Sequence, residues 1–136
     1  MEPINFLAIV VASLVSFGIG SFWYSPFLFG KEWAEGRKIS EDLNSLQTSS
    51  VLKSYAIQFV LTLFTFTFLA FIISMSQART STDGAFIGLL GWLGFVIPLS
   101  VSGLLWKKDT FTLFMIETVN HLVILTIGGA IIGAWR

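Results

Sequence analysis

Four apolar runs, 4–24, 55–75, 85–106 and 111–135, are each long enough to cross the hydrocarbon core of a bilayer. That crossing takes about 20 helical residues at 1.5 Å each. In hydrocarbon every backbone N–H and C=O must be satisfied within its own segment, so these runs are read as helices. The predicted architecture is all-α: an integral membrane four-helix bundle built from one domain, residues 1–136. Charged residues make up 12% of the chain. A water-soluble domain carries about 25%, so this chain has too few to cover a surface in contact with water.

The same composition removes several functions. The formal net charge is zero, which leaves nucleic-acid binding without an electrostatic footprint. There is no cysteine and one histidine. Disulfides, thiolate metal sites, cysteine nucleophiles and multi-histidine zinc patterns are therefore excluded. The reading assigns no cofactor, no resident metal and no catalytic residue. The first run reads as a retained span rather than a cleaved leader. Its N-terminal Met1-Glu2-Pro3 carries no lysine or arginine, and it ends in Trp23-Tyr24.

Orientation follows from the basic residues. Lys31, Arg37, Lys38 and Lys53 fall in the first loop, and Lys107 and Lys108 in the third; Arg79 and Arg136 lie on the other side. The positive-inside rule then places loops 1 and 3 in the cytoplasm and both termini outside. Trp23, Tyr24, Trp33 and Trp106 mark the inner boundary and Trp135 the outer one, as an aromatic belt. Pro3 suits the first turn of the first helix, and Thr82 or Asp83 the N-cap of the third. Within loop 1, Ser40-Glu41-Asp42 predicts a short helix with Leu43 and Leu46 on one face, followed by a polar hinge at 45–50.

Small residues suggest how the helices meet, because lipid tails are as apolar as leucine and helices associate through close packing. Ala8, Ala12, Ser16 and Gly20 form a stripe at four-residue spacing. The third span offers Gly84, Gly88, Gly91 and Gly94, and the fourth a Gly129–Gly133 pair. Packing within the bundle explains these stripes; a homo-oligomer interface is the sharper use of them. The second span is bulky with Phe59, Phe64, Phe66, Phe68 and Phe71, mostly toward lipid. Its Gln58, Thr62 and Thr65 make one polar stripe, expected to face inward.

The chemistry concentrates in the fourth span. Glu117, Asn120 and His121 share one helix face. An ionisable group at the bilayer centre costs about 2.5–3.5 kcal/mol on insertion scales. Counted along the spans, Gln58, Thr62, a kink at Pro98, Ser102, Glu117, Asn120 and His121 fall at similar depths, a candidate polar site in the inner leaflet. A carboxylate and an imidazole one turn apart can exchange a proton. The alternative role is polar glue between helices.

Trp23-Tyr24-Ser25-Pro26, followed by Gly30 and Trp33, resembles the signature of a family of small bacterial membrane proteins catalogued as domain of unknown function 1761. The Gly91-Trp92-Leu93-Gly94-Phe95 run and the stretch from Asn120-His121-Leu122 to Gly133-Ala134-Trp135 resemble its later segments. The resemblance implies a four-span integral membrane protein of uncharacterised activity, here expected in the bacterial cytoplasmic membrane. Physically, Trp23 and Tyr24 anchor the helix end, Pro26 stops it, and Gly30 lets the chain turn back, as a re-entrant cap over the inner-leaflet site. Three functions are consistent with this sequence: a small channel or transporter for a proton, cation or small solute; a non-catalytic assembly or regulatory subunit; and an enzyme acting on membrane lipid, for which no nucleophile stands out.

Overall fold

Asn5 starts the first helix, not Pro3. Its side-chain oxygen accepts hydrogen bonds from the backbone N–H groups of Leu7 (3.0 Å) and Ala8 (3.3 Å), and α1 then runs Phe6–Trp23. A computed structural model describes residues 3–36 and 48–135. The helix expected around Ser40–Leu46 lies outside the described residues. After α1 the chain forms α2 (Gly30–Gly36), α3 (Thr48–Met75), α4 (Ser81–Gly91), α5 (Ile97–Ser102) and α6 (Phe111–Ala134). α3 begins at Thr48, seven residues before the expected span, and takes in part of the predicted hinge.

Among the described residues, four helices are long and apolar enough to cross a membrane: Phe6–Trp23, Leu52–Met75, Ser81–Lys107 and Phe111–Ala134. No strand occurs among the described residues. The third span begins with α4, which is capped by Thr80, two residues before Thr82 and three before Asp83. The Thr80 hydroxyl accepts from the N–H of Asp83 at 3.0 Å. This span is not uniform. A π-helical turn, Trp92–Val96, joins α4 to α5, and a second, Gly103–Lys107, follows α5. Pro98 sits just inside α5. The backbone thus meets the missing proline N–H with a widened turn on its N-terminal side.

α6 is the central helix, packing on α1, α2, α3, α4 and α5. Its contact with α4 is backbone against backbone. A Cβ added at Gly84 would run into the Gly129 carbonyl, one at Gly129 into the Gly84 carbonyl, one at Gly88 into the Leu125 carbonyl and one at Gly133 into the Thr80 carbonyl. Four glycines therefore let two helices approach as closely as their main chains allow. Gly91 and Gly94, on the same predicted stripe, have nothing within reach of an added Cβ.

On the other side of α6, the Phe66 ring of α3 fills the space a side chain on Gly128 would need. Phe66 is fully buried and joins Ala8, Ile9, Ala12, Leu69, Ala70, Ile73 and Ile132 in the core. It is the exception to the expectation that these rings face outward; Phe64, Phe68 and Phe71 are exposed. The polar stripe of α3 also departs from expectation. Gln58 and Thr65 are exposed and Thr62 is half-buried. Their hydroxyls are satisfied within the helix, Thr62 donating to the Gln58 carbonyl (2.8 Å) and Thr65 to that of Leu61 (3.0 Å). A hydroxyl that bonds its own helix can face lipid at little cost.

α1 lies antiparallel to α6. Asn5 Nδ2 donates to the Trp135 carbonyl (3.3 Å) at one end, and Trp23 Nε1 to the Ile116 carbonyl (2.9 Å) near the other. Ala8, Ala12 and Ser16 are buried within the chain, so that part of the small-residue stripe serves the bundle itself. Gly20 does not: a Cβ there meets nothing within 4 Å.

Substituting Gly129→Ala should destabilise the folded chain in detergent by about 1–3 kcal/mol, the usual cost of overpacking. Gly94→Ala, with open space and a better helix former, should leave stability unchanged or raise it by up to about 1 kcal/mol. Unfolding midpoints in a denaturing-detergent titration read both, and equal losses at the two glycines would contradict the α4–α6 contact described.

Candidate functional site

The segment after α1 folds back on itself before α2 begins. Tyr24 N–H still bonds the Gly20 carbonyl (3.0 Å), then Ser25 turns the chain: its carbonyl accepts from Leu28 (3.1 Å) and Gly30 (2.9 Å), while its hydroxyl donates to the Phe22 carbonyl (2.6 Å). Phe29 N–H reaches back to the Trp23 carbonyl at 3.1 Å. Gly30 is required by close approach, because a Cβ there would collide with the carbonyls of Tyr24 and Ser25. Pro26 lies exposed on the turn. The turn aims α2 at α6, where Gly36 passes close to the Leu113 side chain. Trp33, stacked edge-on to Tyr24 with centroids 5.3 Å apart, is carried to the same place.

Three indoles then converge on one turn of α6. Trp23 Nε1 donates to the Ile116 carbonyl (2.9 Å), Trp33 Nε1 to Glu117 Oε1 (3.2 Å) and Trp92 Nε1 to the Thr118 carbonyl (2.7 Å). They come from the end of α1, from α2 and from the π-helical turn of the third span. An indole N–H in an apolar setting needs an acceptor. The carbonyls of Ile116 and Thr118 supply one in addition to their helical bonds, since each carbonyl has two lone pairs.

Glu117 is half-buried and lines a polar cavity of about 180 Å³. The other walls are Leu99, Ser100, Gly103, Lys107, Asp109, Phe114 and Thr118. Its ionisable side chains are two carboxylic acids and one lysine. Lys108 makes the turn above it in a left-handed conformation (φ 57°), which returns the Asp109 N–H to the Gly103 carbonyl at 3.3 Å. A separate groove of about 460 Å³ between α4 and α6, lined by residues such as Phe86, Leu122 and Ile127, has no titratable group on its wall.

The residues expected to share the inner-leaflet site are divided by the structure. Glu117 and the half-buried His121 lie four residues apart on one face of α6. Asn120 is buried beside them, 6% exposed, and its Oδ1 has no hydrogen-bond partner among the described residues. Gln58 and Thr62 stay on α3, bonded to each other's helix turn. Pro98 and Ser102 are exposed, with the Ser102 hydroxyl donating to the Pro98 carbonyl (3.3 Å). None of these four lines the cavity. Ser100, Lys107, Asp109 and Thr118 do, and no spacing in the sequence marks them as site residues. Trp92 was missed as well. Its signal was legible: a tryptophan near the middle of an apolar helix, where a belt role is unavailable, must find an acceptor on a neighbour.

Among proteins already grouped into families, residues 7–133 match the model described as Protein of unknown function (DUF1761). No curated protein and no solved structure matches the chain.

Replacing Trp33 by Phe keeps the ring against Tyr24 and deletes the donor to Glu117. A double-mutant cycle of Trp33→Phe with Glu117→Leu, which leaves the indole no acceptor at that position, should therefore show a coupling of about 1 kcal/mol, within the range of about 0.5–3 kcal/mol for such bonds. Unfolding midpoints in detergent supply the four corners of the cycle. Strictly additive losses would mean that the indole–carboxylate contact contributes nothing to holding α2 in place.

Proposed function

We propose a function from the site alone, because the chain belongs to the family described as Protein of unknown function (DUF1761), and that description assigns no activity. The reading is a small multi-pass membrane transporter or channel for a proton or small cation. Glu117 is the group that receives the cargo at the loop end of the bundle, and His121 is the next titratable group along the same face. The chain sits in the bacterial cytoplasmic membrane with loops 1 and 3 inside and both termini outside, and acts as a homo-oligomer.

One observation carries this reading. A carboxylic acid six residues into a membrane-length helix lines a polar cavity of about 180 Å³ with Ser100, Asp109 and Thr118. A water takes about 30 Å³ of liquid volume, so the cavity is roomy enough for several. Two acids against one lysine favour a positive guest over an anion. The Trp33 indole holds one carboxylate oxygen of Glu117, which fixes the side chain without neutralising it. Ionisable residues inside membrane segments characteristically mark proton or ion paths. The six basic residues on loops 1 and 3, against two on the other side, support the orientation.

The test is flux into proteoliposomes containing the purified chain, with an imposed pH or cation gradient and a fluorescent reporter inside. Wild type should carry a measurable flux. Glu117→Gln, which keeps the size and a hydrogen-bonding oxygen, should lower it by about tenfold or more, equivalent to at least about 1.4 kcal/mol on the barrier. His121→Ala should lower it too. Flux that persists unchanged in Glu117→Gln would remove the carboxylate from the path and end this reading.

A further inference from the structure

The loop-end cavity holds one charged side chain to which the reading of Glu117 gives no task, Lys107. It closes the second π-helical turn, Gly103–Lys107. Lys108 follows in a left-handed conformation and is not part of the cavity wall. As positive charges that orient the spans, the two lysines are equivalent. Only Lys107 is brought to the wall that Glu117 and Asp109 share.

The same turn delivers Asp109. The φ of 57° at Lys108 returns the Asp109 N–H to the Gly103 carbonyl, 3.3 Å away. Gly103 is buried, and a Cβ added to it would lie 2.9 Å from Asp109 Oδ2. The glycine thus leaves the carboxylate the room that a side chain would take. Glu117 comes to the cavity from α6, with Trp33 Nε1 donating to its Oε1 at 3.2 Å. The two acids therefore reach one wall from two separate parts of the chain, and the lysine stands with them. When all three are ionised, the described residues give that wall one net negative charge. His121, one turn further along α6, does not line it.

We propose that Lys107 sets the valence of the guest, so that the cavity takes one monovalent cation and turns divalent ions away. This deepens the reading of the cavity as a cation site and rests on it. One positive charge balances the wall. A divalent ion would leave a surplus positive charge in a cavity of about 180 Å³, where an unbalanced charge is poorly compensated. Ligand supply points the same way. Ca2+ takes about 6–8 oxygen ligands. The lysine ammonium offers three donors and no acceptor, so it adds no ligand and competes for the oxygens of the two acids. Without the charge at Lys107 the wall would carry two negative charges, and the preference would move to divalent ions.

The purified full chain in detergent tests this, with Na+ and Ca2+ as probes and choline chloride at matched ionic strength as the blank. A ligand that binds only the folded chain raises its unfolding midpoint as its concentration passes Kd. In the unmodified chain Na+ should raise the midpoint more than Ca2+ does. Lys107→Gln and Lys107→Met should each respond to Ca2+ at concentrations at least about tenfold lower than wild type. Lys107→Arg keeps the charge and should respond as wild type does. So should Lys108→Asn, which removes a lysine charge one residue away and tolerates the left-handed turn. The gain should vanish in Lys107→Gln/Glu117→Gln. Overturning results are a wild-type chain that prefers Ca2+, Lys107 variants that bind Ca2+ no better than wild type, or a Lys108→Asn gain as large as theirs. None of these readouts requires flux. A chain that shows the valence switch and carries no flux would end the transport reading and leave Lys107 as the filter of a binding site.

Discussion

The close approach of α4 to α6 is the contact on which the remaining geometry depends. In lipid no hydrophobic force draws one apolar helix to another, so what holds them is packing at short range. Gly84 and Gly88 on one helix and Gly129 and Gly133 on the other place main chain against main chain. The same helix offers Gly128 to the Phe66 ring a third of a turn away. α6 is therefore smooth where it must accept neighbours at its terminal end. At its loop end it bears Leu113, Phe114 and Glu117, side chains that take up room. The third span is locked against the smooth half and passes the bulky half through two π-helical turns. The cavity under Glu117 opens where these two helices are no longer held by glycine.

A second constraint acts at the loop end. Three indole N–H groups from three separate segments end on residues 116, 117 and 118. Two of them use backbone carbonyls and are indifferent to side-chain chemistry. The third uses the Glu117 carboxylate. The loop-1 cap is thus tied to the one side chain on that turn that can change its charge, whereas α1 and the third span are tied to groups that cannot.

Much of the architecture was legible in the sequence, because length and hydropathy are enough to define spans and glycine spacing marks close contacts. Tertiary detail was less so, for specific reasons. Gln58, Thr62 and Thr65 read as an inward stripe on the premise that a polar side chain must seek the interior; a helix can instead satisfy its own hydroxyls, and these do. Phe66 resembles its four phenylalanine neighbours in sequence, and its burial depends on Gly128 some sixty residues away. Pro98 signals a disturbance but not its form, which here is a widened turn beginning at Trp92. Glu117 and the turn that carries Trp33 were both legible, yet their meeting depends on how Gly30 aims α2, a tertiary fact that no spacing encodes.

The placement of Glu117 argues against simple adhesion between helices. Adhesion at this depth is already supplied more cheaply: Trp23 and Trp92 bond α6 without any charge, and Thr118 satisfies its hydroxyl on the Phe114 carbonyl. An acid adds a desolvation cost that none of those groups incurs. What it adds in return is a carboxylate oxygen on the wall of the loop-end cavity. Asn120 itself follows the same logic. As a packing residue it would be inferior to leucine, since its oxygen lies buried without a partner among the described residues. Two costly polar groups thus stand in succession on one helix, Glu117 on the wall of the loop-end cavity and Asn120 buried beside it, where apolar side chains would pack at lower cost.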